Sequence, residues 1–165
     1  MLLVFKNVEV GRPTAGSVVP MNHATLRHKI LVVDDSADTR DMMAKLLEME
    51  SFAVLTAPDG NAGIYVATTE RPDLIITDIN MPNLNGIEMI KQLRQRPGFE
   101  SIPIMAITAY GEGVAQDAID AGANLAATKP VQFKSLALDI RELLEKSLSD
   151  SNADPNPAEK KTTSQ

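Results

Sequence analysis

From Ile30 onward, short apolar runs alternate with segments whose apolar residues recur every three or four positions. Ile30-Leu31-Val32-Val33 is unbroken and ends in Asp34-Asp35. A short run without polar alternation suits a strand covered on both faces, as in a parallel sheet. Ser36 follows as a candidate helix cap, because its hydroxyl can accept from an otherwise unpaired backbone N–H. Met42, Met43, Leu46 and Leu47 then mark a helical stripe. Ala53–Ala57 reads as a second strand, Pro58-Asp59-Gly60 as a turn, and residues 61–69 as a helix. Leu74-Ile75-Ile76-Thr77-Asp78 repeats the opening motif, an apolar strand closing on Asp. Met81-Pro82-Asn83 is loop, and Ile87, Ile90 and Leu93 form the next stripe, closed by Pro97-Gly98. Residues 102–108 are a fourth apolar run, with Pro103 near the start, where a missing N–H is tolerated. Val114, Ala118 and Ile119 fall on a helix ending near Gly122. Leu125–Thr128 is an Ala-rich fifth strand, and Phe133, Leu136, Ile140, Leu143 and Leu144 make a final amphipathic helix.

Strands and helices in strict alternation predict an α/β fold, a doubly wound parallel sheet with helices on both faces. Ligands of such sheets bind outside the carboxyl ends of the strands. That edge would gather Asp34 and Asp35 from the first strand, Asp78 from the third, Thr108 from the fourth and Lys129 from the fifth. Each has an ordinary reading alone: a cap, a packed strand end, a solvated lysine. Their recurrence at four of the five strand ends is what marks them as a candidate site.

Residues 1–27 carry no period and contain Gly11, Pro13, Gly16 and Pro20. They are expected to form an irregular extension with a short strand over residues 2–5. The ordered domain is expected over 28–148. Residues 149–165 are polar, with Pro155 and Pro157, and are expected to be a disordered tail. A length of 165 residues suits one domain. Aromatic residues are only 4% against 44% hydrophobic, so the core must be aliphatic. The absence of Cys excludes disulfides, thiolate metal sites and a Cys nucleophile, and fits a reducing compartment. A net charge of -6 offers no basic footprint for a phosphate backbone, so direct nucleic-acid binding is not expected. No apolar run approaches the roughly 20 residues of a membrane span. The opening run of residues 1–5 lacks the basic stretch of a signal peptide. A cytoplasmic protein without membrane insertion is expected.

Three carboxylates in one pocket repel each other and call for positive compensation. Hard oxygen ligands with room for waters and a phosphate favour Mg²⁺. Lys129 would add a compact positive charge. With no His or Cys nearby, zinc is not expected. A carboxylate held beside Mg²⁺ and a lysine can attack phosphorus and form an aspartyl phosphate. Such transfer depends mainly on positioning and charge neutralisation, to which a Thr108 hydroxyl could contribute.

These residues resemble the response-regulator receiver family. The matching segments are KILVVDDS at 29–36, LIITDINMPNLNG at 74–86, IMAITAY at 104–110 and AATKP at 126–130. The resemblance covers about residues 28–148. It implies a flavodoxin-like five-stranded sheet of order 2-1-3-4-5. It further implies that Asp78 accepts the phosphoryl group. Asp34, Asp35, Asp78 and the backbone carbonyl of Asn80 would hold Mg²⁺, and Thr108 and Lys129 would contact the phosphoryl group. A cis Lys129–Pro130 bond is also implied. The implied partners are a histidine kinase or phosphotransfer protein as donor and an unknown downstream protein. The switching surface would be the fourth helix, fifth strand and fifth helix, biased by the new charge. Receivers also catalyse their own phosphorylation from small donors and their own dephosphorylation.

One position departs from the family. Three residues before the lysine, where the family usually carries Tyr or Phe, stands Ala126. Tyr110 is a candidate substitute for the missing ring. Asn80 and Tyr110 are also expected near the path of attacking water. The short stretch after Leu148 is expected to hold no output domain, and output is expected through partner binding, onward phosphoryl transfer or homodimerisation. Leu138, off the core stripe of the last helix, is a candidate contact. A haloacid-dehalogenase-type phosphatase would need a second Asp two residues beyond the first, and that position is Asn80. A phosphorylation-independent pseudo-receiver acting as an interaction module is the remaining alternative.

Overall fold

A computed structural model describes residues 27–151. The expected N-terminal strand at residues 2–5 lies outside them, as do nearly all of the expected extension and tail. The elements alternate strictly: β1 (Lys29–Val33), α1 (Ala37–Met49), β2 (Ala53–Ala57), α2 (Gly60–Glu70), β3 (Leu74–Asp78), α3 (Gly86–Arg94), β4 (Ile104–Thr108), α4 (Glu112–Asp120), β5 (Leu125–Thr128) and α5 (Phe133–Ser151). The strands form one sheet in the order β2-β1-β3-β4-β5, with every neighbouring pair parallel. The strand-order reversal expected of a doubly wound sheet therefore falls beside β1 and β3, whose ends carry Asp34 and Asp78.

Period-two alternation along the strands divides the core into two layers. Leu31, Val33, Ile75, Ile104 and Ala106 face Ile64 and Ala67 of α2, Met89, Ile90 and Leu93 of α3, and Ala118 of α4. Ile30, Val32, Leu74, Ile76, Met105 and Ile107 face Leu47 of α1 and Leu136, Ile140 and Leu144 of α5. The unbroken apolar runs are thus explained: both faces of each central strand are covered.

Local signals set most boundaries. Ser36 caps α1 by accepting from the Thr39 N–H, and Asn85 caps α3 by accepting from Glu88. Asp59, expected in a turn, is the cap of α2, and Gly60 is already helical. The fourth strand begins two residues later than expected, because Pro103 has no N–H to donate to the ladder. Helix α5 continues to Ser151. Met42 does not join the core stripe and is 54% exposed. It sits about 100° around the helix from Met43 and points outward.

Gly86 opens α3 directly beneath the end of β3. A Cβ at this position would collide with the Asp78 carbonyl oxygen and approach Ile79 Cα to 2.9 Å. The backbone there cannot yield without moving the Asp78 loop. Gly86→Ala is therefore expected to destabilise the fold by about 1–3 kcal/mol. Urea unfolding checks this, and an unchanged midpoint would show that the loop gives way freely.

Candidate functional site

The carboxyl edge of the sheet brings three of the expected residues into direct contact. Lys129 Nζ lies 2.7 Å from Asp78 Oδ1 and 3.6 Å from Asp34 Oδ2. Both carboxylates are buried, each residue 6% exposed. One ammonium is thus shared by two desolvated acids, and the trio keeps a net negative charge.

The backbone holds each group in place. Asp34 Oδ1 accepts from the Ser36 N–H at 2.8 Å, and the Asp34 carbonyl accepts from Arg40 Nη1 at 2.6 Å. Asp78 receives a hydrogen bond from the Asn80 backbone N–H. The Lys129 N–H donates to the Thr108 carbonyl at 2.7 Å, which ties the end of β5 to the end of β4. The Lys129–Pro130 peptide is cis, as expected.

Burial pushes the Asp78 carboxyl above its ordinary value of 3.8. Lys129 pulls it back, Asp34 pushes it further up, the Asn80 N–H pulls down, and the net direction is upward. Burial draws the Lys129 ammonium down, but the hydrogen bond and charge of Asp78, with those of Asp34, carry it above its usual 10.5.

Two expected members stand apart from the trio. Asp35 is exposed. It lines a separate recess of about 500 Å³ with Asn80, Asn85 and Asp117. Thr108 is fully buried, and its hydroxyl is turned to the backbone of Tyr110. It accepts from the Tyr110 N–H at 3.0 Å and donates to the Tyr110 carbonyl at 3.3 Å. Sequence reasoning missed Arg40 and the Ser36 N–H as supports of Asp34; a cap residue followed one turn later by a cation was the available signal. It also missed an apolar cavity of about 370 Å³ beside the trio, walled by Val32, Met43, Ile76, Ile107 and Val131.

The family model for the response regulator receiver domain matches residues 30–141. This chain belongs to the response regulator receiver family. It is 36% identical over 123 residues to the alkaline phosphatase synthesis transcriptional regulatory protein PhoP of Bacillus subtilis, which covers 74% of this chain and 50% of that protein. It is also 41% identical over 103 residues to an uncharacterized 14.6 kDa protein from the sodA1 3′ region of Leptolyngbya boryana, covering 62% of this chain and 79% of that one. The chain thus spans about half the length of PhoP. Among solved structures, the Vibrio cholerae chemotaxis protein CheY4 is similar with a TM-score of 0.67 and 30% identity, over 71% of this chain and 98% of that one. A receiver domain protein from Clostridium thermocellum gives a TM-score of 0.69 at 27% identity, over 74% and 98%. The flavodoxin-like order expected for the sheet is the one observed.

Aspartyl phosphorylation and Mg²⁺ are typical of receivers. Among the described residues, no group of three His, Cys, Asp or Glu side chains is placed to hold a metal ion. Mg²⁺ does not require one, since it keeps several waters and takes one or two carboxylates with a phosphate. The Asp34–Asp78 pair, left net negative by a single lysine, fits that donor set. No helix among the described residues is long and apolar enough to cross a membrane.

A raised folded-state carboxyl has a defined effect on stability. The stability held by protonated Asp78 is complete below the ordinary carboxyl value and is lost as pH rises through the raised one. Asp78→Asn is therefore expected to raise the melting temperature at neutral pH by several degrees. The gain should shrink on acidification towards about pH 4, where wild-type Asp78 is increasingly protonated. Thermal melts of both proteins in chelator across this range measure it. Equal melting temperatures throughout would show that the buried charge costs nothing.

Proposed function

We propose that this receiver accepts a phosphoryl group on Asp78 from a histidine kinase or phosphotransfer protein, and that the modified form binds a downstream protein differently through its α4–β5–α5 face. The observation that carries the proposal is the buried Asp78 carboxylate, 2.7 Å from Lys129 Nζ and beside Asp34 at the switch point of the sheet. An Asp78 oxygen attacks phosphorus, and the bond from phosphorus to the donor's nitrogen breaks. The leaving imidazole keeps the electron pair and takes a proton from solvent. Lys129 faces the charge carried by the transferred group. Asp34, Asp35, Asp78 and the Asn80 carbonyl would hold Mg²⁺, which when bound supplies further charge neutralisation at the phosphoryl oxygens. Thr108, on the strand next to Asp78, would give its hydroxyl to one of those oxygens. A receiver working with a soluble kinase domain fits a cytoplasmic location.

A phosphorylation-independent module is not favoured. Two buried carboxylates around one ammonium cost stability, and partner binding alone gives no reason to keep them.

Intact mass after incubation with acetyl phosphate and Mg²⁺ tests the proposal. Wild type should gain one phosphoryl group, and Asp78→Asn or a chelator should abolish the gain. Lys129→Ala should slow it by about 100-fold, the scale for losing one preorganised charge-stabilising group. A gain that persists in Asp78→Asn would place the acceptor elsewhere. Failure to gain mass, together with failure to bind beryllofluoride, would leave an interaction module.

A further inference from the structure

We infer, resting on the phosphoacceptor role proposed for Asp78, that Tyr110 is the side chain that reports phosphorylation, by moving its ring into a groove between α4 and β5 left open by Ala126. Three observations lead there. First, the Thr108 hydroxyl holds both backbone polar groups of Tyr110, accepting from its N–H and donating to its carbonyl. A hydroxyl has one proton to give. If Thr108 donates to a phosphoryl oxygen on Asp78, it gives up the Tyr110 carbonyl, and rotation about its Cα–Cβ bond removes the acceptor from the Tyr110 N–H. One side-chain turn thereby releases both anchors.

Second, the segment beyond is free to respond. Gly111 caps α4 without any side-chain hydrogen bond. A Cβ added at Gly111 or Gly113 would meet nothing within 4 Å. Helix α4 buries only Ala118. Its first turn is therefore lightly held, as segments that open locally are.

Third, an empty receptacle lies within reach. Ala115, Gln116, Ile119, Leu125, Ala126 and Thr128 contribute to a groove of about 330 Å³. Thr128 pairs in register with Thr108, so the groove starts one strand away from the hydroxyl that moves. Tyr110 is two residues further along, and its ring is exposed in this state, at 58%. Two residues of chain reach about 7 Å, more than the spacing between adjacent strands. The small side chains of Ala115 and Ala126 leave width for a ring, and Gln116, whose Nε2 donates to Asp120 Oδ1, keeps its amide oxygen to accept from the phenol. Glu112, Gln116 and Thr128 add polar atoms to an otherwise aliphatic lining, and an aromatic ring with a wet polar end is the kind of group that such a mixed, half-open groove accepts.

The chain contains two tyrosines and no tryptophan, so Tyr65→Phe makes Tyr110 the sole tyrosine fluorophore. Acrylamide quenching would be measured in that background with and without beryllofluoride and Mg²⁺, while ¹⁹F NMR monitors bound beryllofluoride. Quenching should fall several-fold on binding. Ala126→Leu should keep the bound ¹⁹F signal and lose the protection. Ala115→Leu, which narrows the groove from the helix side, serves the same purpose should the strand variant not fold. Bound beryllofluoride with unchanged quenching would overturn the inference and leave the Asp78 proposal intact. Protection that depends on protein concentration would overturn it too, by showing that a second copy buries the ring. An absent ¹⁹F signal would overturn both.

Discussion

The carboxyl edge of this sheet depends on one ammonium shared by two buried carboxylates. Asp34, Asp78 and Lys129 stand at the ends of three different strands, β1, β3 and β5, and the parallel arrangement places those ends along one edge of the sheet. Charges removed from water are tolerated where partners and hydrogen bonds replace the lost solvation. Here the Ser36 and Asn80 N–H groups serve the carboxylates, and the Lys129 N–H is fastened to Thr108. Even so, the balance stays negative and Asp78 is driven above its ordinary pKa. An edge that carries unspent negative charge is suited to a cation, and with it to a phosphoryl group.

The surroundings of this trio are unevenly stiff. Helix α3 is held closely: Gly86 lies against the end of β3, and Arg94 donates to the carbonyls of Phe99, Ile102 and Gly122. Met89, Ile90 and Leu93 are fully buried along its length. Helix α4 has one buried side chain and an unassisted cap. The floor beneath Asp78 therefore resists movement, while the element beyond Thr108 does not. A local change at Asp78 would be expressed where the packing is lightest, on the side of the molecule formed by α4 and β5.

The strands were legible because their chemistry is local. A parallel strand covered on both faces must be largely apolar, so β1 could be read to within a residue and β3 end to end, and β2 and the half-buried β5 also matched end to end. Caps were legible for the same reason, since Ser36 and the N–H it satisfies lie three residues apart. Asp34, Asp78 and Lys129 could be nominated because each follows a strand, and the winding rule for parallel sheets converts that into proximity. Ala126 could be noticed as small, but not that a groove would open beside it.

Packing decided what depends on residues far apart in the chain. Asp35 adjoins Asp34 and was expected with it, yet successive residues leave a strand end in different directions, and Asp35 lies exposed in its own recess. Met42 fits a helical repeat as well as Met43 does, and only the direction of α1 against the sheet turned it to solvent. Thr108 was placed at the edge by its strand, but its hydroxyl took the nearest backbone partner at Tyr110. Which residues form the elements follows from neighbours along the chain. Which of their atoms meet follows from distances across the sheet, which no local pattern encodes.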